Sequence, residues 1–417
     1  MATHGSTLNP ARTLAELKEL RALTGDENGA QRVAWTETWA KARAWMRAKL
    51  ADLPVEVSTD EAGNQWATLR GSSERELLIG GHIDSVPNGG WLDGCLNVLA
   101  GLEVLRRLAA QGTPPVTVRL VDWADEEGAR FGRSLFGSSA ASGHFDPEEL
   151  AELRDRDGVT LPDAVGAFGV DLRTARLAGR QLAKAAAYLE LHIEQGPVLE
   201  SMGLPLGVVL GTFGVERNRI IWRGQAAHSG STPMDKRKDA LAGAAKLALH
   251  IREIAREVGD GAVCTSGGVV CRPGIVTSVV ETAEQLLDQR HLDGEQLARM
   301  LAMAKEASMR FAAEEQISVA WEPLWRIAPI PFHPELIALC DEAILETCGV
   351  SHRLPSGPLH DAAEVCRAGV PTVMLFVQSL RGISHNKIED TLEAHIELSV
   401  QALDRLADKA MAWVAGR

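Results

Sequence analysis

At 417 residues the chain is too long for one ordinary domain, so two or three are expected, and 45% hydrophobic residues suffice to bury a full core. The formal net charge of -13, from 56 acidic against 43 basic residues, argues against nucleic acid or an anionic membrane as partner, because no basic patch offsets it. The apolar runs are strand-sized, no cationic start precedes an apolar segment at the N-terminus, and the 6 cysteines form no CxxC pair. A cytoplasmic protein with free thiols is expected.

In chain order, residues 10–51 read as two helices, the second running from 31 with Trp35, Trp39, Ala42 and Met46 on one face. Short strands follow at VEVS, NQWATL and ELLIGGHI. GCLNVLAGLEVLRRLAAQG is a buried helix ending at Gly112, with Pro114 and Pro115 as its stop signal. VTVRLVDW, dense in β-branched residues, is a strand. Surface helices and loops run on to Lys184, and YLELHIE is another strand. Strands alternating with helices predict an α/β sheet covered on both faces.

From Thr212 the pattern changes. VERNRIIWRG is a strand, DALAGAAKLALHIREIAREVG a helix and GAVCTSGGVVC a strand. IVTSVVETAEQLLDQRH reads as one longer strand, followed by a helix (GEQLARMLAMAKEASMRFAAEEQ) and a last strand (ISVAWEPLW). This βαββαβ order predicts a ferredoxin-like unit, four antiparallel strands with two helices on one face. After Ile330 come a helix, the strand PTVMLFV and a final helix. His385 lies in this last part yet must join ligands from the first. The chain is therefore divided into a mixed-sheet catalytic domain made of residues 1–211 and 330–417, and an inserted domain at 212–329.

Potential metal ligands stand at His82, Asp93, Glu127, His192 and His385, most of them just after an apolar run or within a Gly-rich turn. Mixed imidazole and carboxylate ligands suit zinc, or a neighbouring ion such as manganese, cobalt or nickel. His82 follows LLIGG, so a strand delivers it to the rim of the sheet, where α/β proteins place their ligands. Asp84 is suited to accept the other ring N–H of His82. Asp93, after NGGWL, is placed to bridge two ions; its ordinary alternative is a helix N-cap. Glu126 and Glu127 point opposite ways if the segment is extended, which assigns Glu127 to metal and Glu126 to water as general base. A shared carboxylate with a further one left over is what two-metal hydrolysis requires.

Taken singly, His192 also reads as a core histidine and DEEG as a solvated acidic run; the joint occurrence favours the site. His4, His144, His250, His291, His333, His352 and His395 are expected on the surface or in packing. In GQAAHSGSTPMDKRKDAL, Thr232 and Asp235 are expected to cap the following helix. His228 would polarise a substrate carbonyl or remain a hydrogen-bonded loop residue. Arg290 either receives a substrate carboxylate or pairs with Asp288 or Asp293.

With DEAGNQWATL, GGHIDSVPNGGWLDG, DEEGARFG, LHIEQGPVLE, GQAAHSGSTPMDKRKDAL and GISH in place, the chain resembles the amidase, hydantoinase/carbamoylase family. That family includes N-carbamoyl-L-amino acid hydrolases, β-ureidopropionases and allantoate amidohydrolases, within the di-zinc aminoacylase and carboxypeptidase superfamily. The resemblance implies a homodimer formed through the inserted domain, which would serve for dimerisation and as a lid. His82 and His192 would hold one ion, Glu127 and His385 the other, with Asp93 bridging and Glu126 as base. Family members place the histidine matching His228 at the partner subunit's active site. Gln195, His228 and Arg290 would orient the carbamoyl or amide group and the carboxylate.

The chain departs from the family pattern at TSVVET, where Ser278 replaces an asparagine that would help anchor substrate, and at SGPLHDAAE, around His360. Gly90-Trp91 replaces a more common polar residue after NGG. The expected activity is hydrolysis of a linear C–N bond in an N-carbamoyl-L-amino acid or related ureido acid, with two divalent cations per subunit. An N-acyl amino acid amidohydrolase or dipeptidase is the alternative within enzymes, and a catalytically silent metal-binding scaffold the alternative outside them.

Overall fold

The structure, a computed structural model, describes residues 8–417; His4 lies outside the described residues. The chain divides into two compact units, one joining the residues up to Leu210 with Phe332–Arg417, the other formed by Gly211–Pro331. Each has its own hydrophobic core. Among the described residues no helix is long and apolar enough to cross a membrane.

The first unit is built on a mixed sheet. Its strands are β1 (Glu56–Thr59), β2 (Gln65–Leu69), β3 (Glu76–His82), β4 (Thr117–Trp123), β5 (Ala185–Ile193), β6 (Leu206–Thr212), β7 (Arg353–Ser356) and β8 (Thr372–Val377). They run β6–β8–β5–β3–β4–β2–β1, with β7 paired to β6. Strands β4, β3, β5 and β8 are mutually parallel, while β6, β2 and β1 run antiparallel to their neighbours. Every residue of β3, β4 and β8 is buried, as expected for strands covered on both faces and read in the sequence as continuous apolar runs.

The covering helices are α1 (Pro10–Thr24), α2 (Glu37–Leu50), α3 (Cys95–Gln111), α4 (Phe136–Ser142), α5 (Pro334–Cys348), α6 (Asp361–Arg367) and α7 (Glu393–Ala415). Asn9 and Thr36 cap α1 and α2 through their side chains. The second helix is shorter than its apolar pattern predicts. Trp35 has a left-handed backbone (φ 62°) and stands outside α2, yet its ring packs edge-on to Trp39 at 4.9 Å. The aromatic pattern therefore reported burial rather than helix. Strands β6 and β7 and helices α4 and α6 are additions to the elements read from sequence.

The second unit is a four-stranded antiparallel sheet in the order Val263–Arg272, Thr282–His291, Gly214–Arg223, Ser318–Ile327. Helices Ala240–Val258 and Gly294–Glu314 join the sheet in a core that includes Trp222, Leu247, Ile251, Leu287 and Met300. This strand order is that of a ferredoxin-like βαββαβ unit. Two local expectations fail. The segment before Thr282 is not strand: only Ser278 forms an isolated bridge, to His228. The helix Ala240–Val258 is capped by Asp239, whose side chain accepts from Leu241 N at 3.0 Å. Thr232 and Asp235 cap nothing; Asp235 pairs with Lys236 at 3.2 Å.

Candidate active site

The parallel strands end along one edge of the sheet, with His82 in register with Trp123 and Ile193 with Val377. His82 is the last residue of β3 and His192 the last but one of β5. Glu126 and Glu127 follow β4, and His385 lies in the loop after β8. Asp93 comes between β3 and α3. Its neighbour Gly94 has φ 64°, and the His82 ring occupies the space that a Cβ on Gly94 would fill, so the turn requires glycine there. Asp93 itself is not the cap of α3: Gly94 stands at that position and no side chain caps the helix.

Asp93 presents one oxygen to each of two groups. Its Oδ1 lies 3.1 Å from His192 Nε2 and 3.7 Å from His82 Nε2. Its Oδ2 lies 3.5 Å from His385 Nε2, which is 3.3 Å from Glu127 Oε2. The ligand atoms of His82, Asp93 and His192, and separately those of Asp93, Glu127 and His385, lie within 4.8 Å of one another. Glu126 Oε2 stands 3.7 Å from His82 Nε2.

Backbone carbonyls orient both buried imidazoles. His82 Nδ1 lies 3.1 Å from Asp84 O, and His192 Nδ1 2.9 Å from Ile193 O. With Nδ1 donating, the neutral form of each ring turns its Nε2 lone pair towards carboxylate oxygens that are also acceptors, a conflict that a proton on His192 Nε2 relieves in the metal-free protein and a bound cation would relieve otherwise. His82 Nε2 is buried with no hydrogen-bond partner. Lone pairs converging in this way need a cation between them, so the residues fit the divalent ions that the ligand types imply. The Asp84 carboxylate has another task than expected. It accepts the backbone N–H groups of Glu126 (3.2 Å) and Glu127 (3.1 Å), while its carbonyl serves His82. Glu126 and Glu127 diverge because Asp125 turns the chain with φ 55°, not because the segment is extended.

The charge state follows from this crowding. Burial lowers the His82 pKa to about 4. Burial also opposes charge on His192, but its hydrogen bond to Asp93 and the Asp93 charge prevail and raise it to about 9. Burial alone would raise Asp93; the His192 contact, with His82 and His385, holds it below the ordinary carboxylate range. Glu126 is pushed well up by burial and by the charges of Asp361 and Glu127, and Glu127 by burial and by Asp93 and Asp84.

Gln195 is drawn into the same cluster. Its Nε2 donates to Asp93 Oδ2 (2.8 Å) and to Ser384 Oγ (3.1 Å), while its buried Oε1 has no partner. The buried His360 ring lies 4.3 Å from that of His192, with Nε2 3.0 Å from Ser356 Oγ. Glu190 groups with His192 and His360 as well, but its Oε2 already accepts the Tyr188 hydroxyl and Ala362 N. His228, Ser278 and Arg290 belong to the second unit. His228 is exposed and accepts from Gly230 N at 3.1 Å. Arg290 grips Asp288 through Nε at 2.7 Å and Nη2 at 3.1 Å. The sequence reading missed Ser384 and Glu389. The only local signal was a hydroxyl and an acid flanking His385 in ISHNKIED, and nothing there pointed to Asp93.

A family model described as Peptidase family M20/M25/M40 matches residues 78–409. The chain is 35% identical over 377 residues to the N-carbamoyl-L-amino acid amidohydrolase of Geobacillus stearothermophilus, covering 87% of this chain and 88% of that protein. It is also 35% identical over 368 residues to the allantoate amidohydrolase of Escherichia coli (strain K12), with the same coverage of 87% and 88%. The crystal structure of an amidase of the hydantoinase/carbamoylase family from Burkholderia multivorans superposes with a TM-score of 0.89 at 30% identity, covering 99% of each chain. On the length and level of these matches, the chain belongs to peptidase family M20/M25/M40, a family of di-metal hydrolases, and within it to the amidases of the hydantoinase/carbamoylase type.

Proposed function

We propose that this chain is a metal-dependent amidohydrolase that cleaves a linear C–N bond of an N-carbamoyl-L-amino acid or a related ureido acid. The observation that carries the reading is the Asp93 carboxylate, one oxygen towards His82 and His192 and the other towards His385, with Glu126 beside His82. The names of the N-carbamoyl-L-amino acid and allantoate amidohydrolases among its relatives support the substrate class.

In this reading His82 and His192 would hold one cation and Glu127 and His385 the other, with Asp93 between the two groups. When bound, divalent ions at such a pair polarise the scissile carbonyl and acidify water, and zinc suits the ligand set, with manganese, cobalt or nickel as substitutes. Glu126 takes a proton from the attacking water and delivers it to the departing nitrogen. The unpartnered Oε1 of Gln195 accepts an N–H of the carbamoyl group. His360 and Ser278 complete the substrate contacts, and Arg290 exchanges Asp288 for the substrate carboxylate. A carbamoyl substrate yields ammonia, carbon dioxide and the free amino acid.

The same reading makes 212–329 an inserted dimerisation and lid domain between the catalytic segments 1–211 and 330–417, in a cytoplasmic homodimer. His228 would polarise the carbonyl bound by the partner subunit. Exposed apolar residues on the second unit support such an interface: Val263 and Val270 on the edge strand, at 43% and 58% exposure, and Leu249 at 69%.

Ammonia release from a panel of N-carbamoyl amino acids, ureido acids, N-acyl amino acids and dipeptides tests the assignment on chelator-stripped protein reloaded with zinc or manganese. Turnover confined to acyl or peptide substrates would make the enzyme an aminoacylase or dipeptidase. No cation uptake and no turnover would make it a scaffold. Glu126→Gln is expected to keep both cations and lose on the order of 10²–10⁴-fold in kcat; full turnover would remove Glu126 as the base.

A further inference from the structure

Glu389 follows the His385 loop and is 2% exposed. Its Oε1 accepts the backbone N–H of Leu92 and that of Asp93, each at 3.1 Å. Its Oε2 lies 2.9 Å from the Ser384 hydroxyl, whose oxygen is also 2.9 Å from Asp93 Oδ2. One carboxylate therefore touches the backbone of the residue that faces both ligand groups and, through Ser384, the segment carrying His385. The NGG turn lies directly against it: a Cβ on Gly90 would fall on the Glu389 carboxyl group. The neighbouring residues repeat the link, with Trp91 Nε1 donating to Asp390 Oδ1 at 3.3 Å.

Local bonds reach Asp93 only on its carbonyl side, where its oxygen accepts the Cys95 N–H at 2.7 Å. The turn before it is glycine-rich, and α3 begins without a side-chain cap. The buried Leu92 and Asp93 N–H groups find their acceptor almost three hundred residues away along the chain, at a separation of 296 for Asp93. Two N–H donors on one carboxylate oxygen make a strong, directional clamp, and removing the acceptor leaves both donors unpaired.

We propose that Glu389 is a positioning residue, which sets Asp93 between the two ligand groups and holds the His385 segment within reach of it. This rests on the reading above that Asp93 and His385 take cations. Glu389 does not touch either group's metal-facing atoms and acts through Asp93 and Ser384. Hydrogen-bonding partners behind metal ligands typically change affinity or activity about 10–100-fold.

The test compares Glu389→Met, which keeps the bulk and removes both acceptors, with Glu389→Gln, which retains an acceptor for Leu92 and Asp93. Chelator-stripped proteins are checked by circular dichroism and thermal unfolding, and zinc uptake is titrated against a chromophoric chelator. Wild type is expected to take two equivalents. The Met variant is expected to lose roughly 10–100-fold in affinity for at least one of them, with kcat falling, KM little changed and excess zinc restoring turnover. The Gln variant should recover most of that loss. Gly90→Ala, which displaces the carboxyl group while leaving it in the chain, should shift affinity in the same direction as Met and keeps the test open if the Met variant does not fold. A Met variant with wild-type affinity, equal losses in Met and Gln, or an unaltered Gly90→Ala would overturn the proposal alone. A wild type that takes up no zinc would overturn the ligand reading and this proposal with it.

Discussion

His82 and His192 show how two residues of one type acquire opposite acid–base behaviour within a single cluster. Both are buried and both direct Nδ1 to a backbone carbonyl. His192 touches the Asp93 carboxylate at 3.1 Å, whereas His82 stands off at 3.7 Å, so the first is driven to about 9 and the second to about 4. The consequence is a pH dependence of the metal-free protein. A histidine whose folded pKa is raised contributes stability that is fully present below its unfolded value, about 6.5, and is lost as pH rises through about 9. The shift corresponds to roughly 3 kcal/mol at about 1.36 kcal/mol per pKa unit. His82, lowered to about 4 in the folded protein, is partly protonated only in the unfolded chain near the bottom of that window and contributes a small change of opposite sign. Urea unfolding of chelator-treated protein at pH 6.5 and 9.5 should show this loss on top of that from buried carboxyls such as Asp125, which burial raises to about 8 and which loses stability in the same direction. His192→Gln should make the drop smaller; parallel pH profiles would mean the Asp93–His192 pair carries no charge. The residue types were legible in sequence because each follows an apolar run. Their tautomers and charges were not, since these depend on a carbonyl or carboxylate supplied by the folded chain.

Elements carry the site by ending together. Helix α2 is tied to the end of β4 through Arg43, whose Nε meets Asp122 Oδ2 at 2.6 Å and whose Nη1 donates to Gly63 O. Asp122 Oδ1 in turn accepts the N–H of Ile83, the residue after His82. Both charged side chains are buried. Arg43→Met would strand Asp122 without a countercharge and is expected to cost about 3–5 kcal/mol in urea unfolding; a change below about 1 kcal/mol would show that Asp122 is protonated or solvated instead. Apolar period and turn residues made most elements readable. They misled where burial mimics regularity. Trp35 is buried like a helix residue but sits in a left-handed turn, and IVTSVVE is rich in β-branched residues yet forms no strand, only an isolated bridge at Ser278.

The molecule as a whole has two cores, and the second is small enough for one truncation to register. Leu247, on the helix Ala240–Val258, is fully buried among Trp222, Ile251 and Met300. Leu247→Ala should cost about 2–5 kcal/mol through lost burial and an unfilled cavity. Trp222, Trp321 and Trp325 of the 10 tryptophans lie in that unit, so its earlier melting should appear as a separate, smaller fluorescence transition, while zinc uptake by the first unit stays at the wild-type level. Loss of zinc together with the fluorescence change would show that the two cores unfold as one.

By itself the sequence determined the alternation of strands and helices, the change of pattern near Thr212 and the identity of the acids and imidazoles that close the parallel strands. These are properties of neighbours along the chain, set by side-chain period and turn chemistry. Only tertiary structure decided which oxygen of Asp93 faces which histidine, that the Asp84 carbonyl rather than its carboxylate meets His82, and that Glu389 lies behind Asp93. Such pairings depend on where distant strands end. A hydrogen bond across 296 residues leaves no period or spacing in the sequence to read.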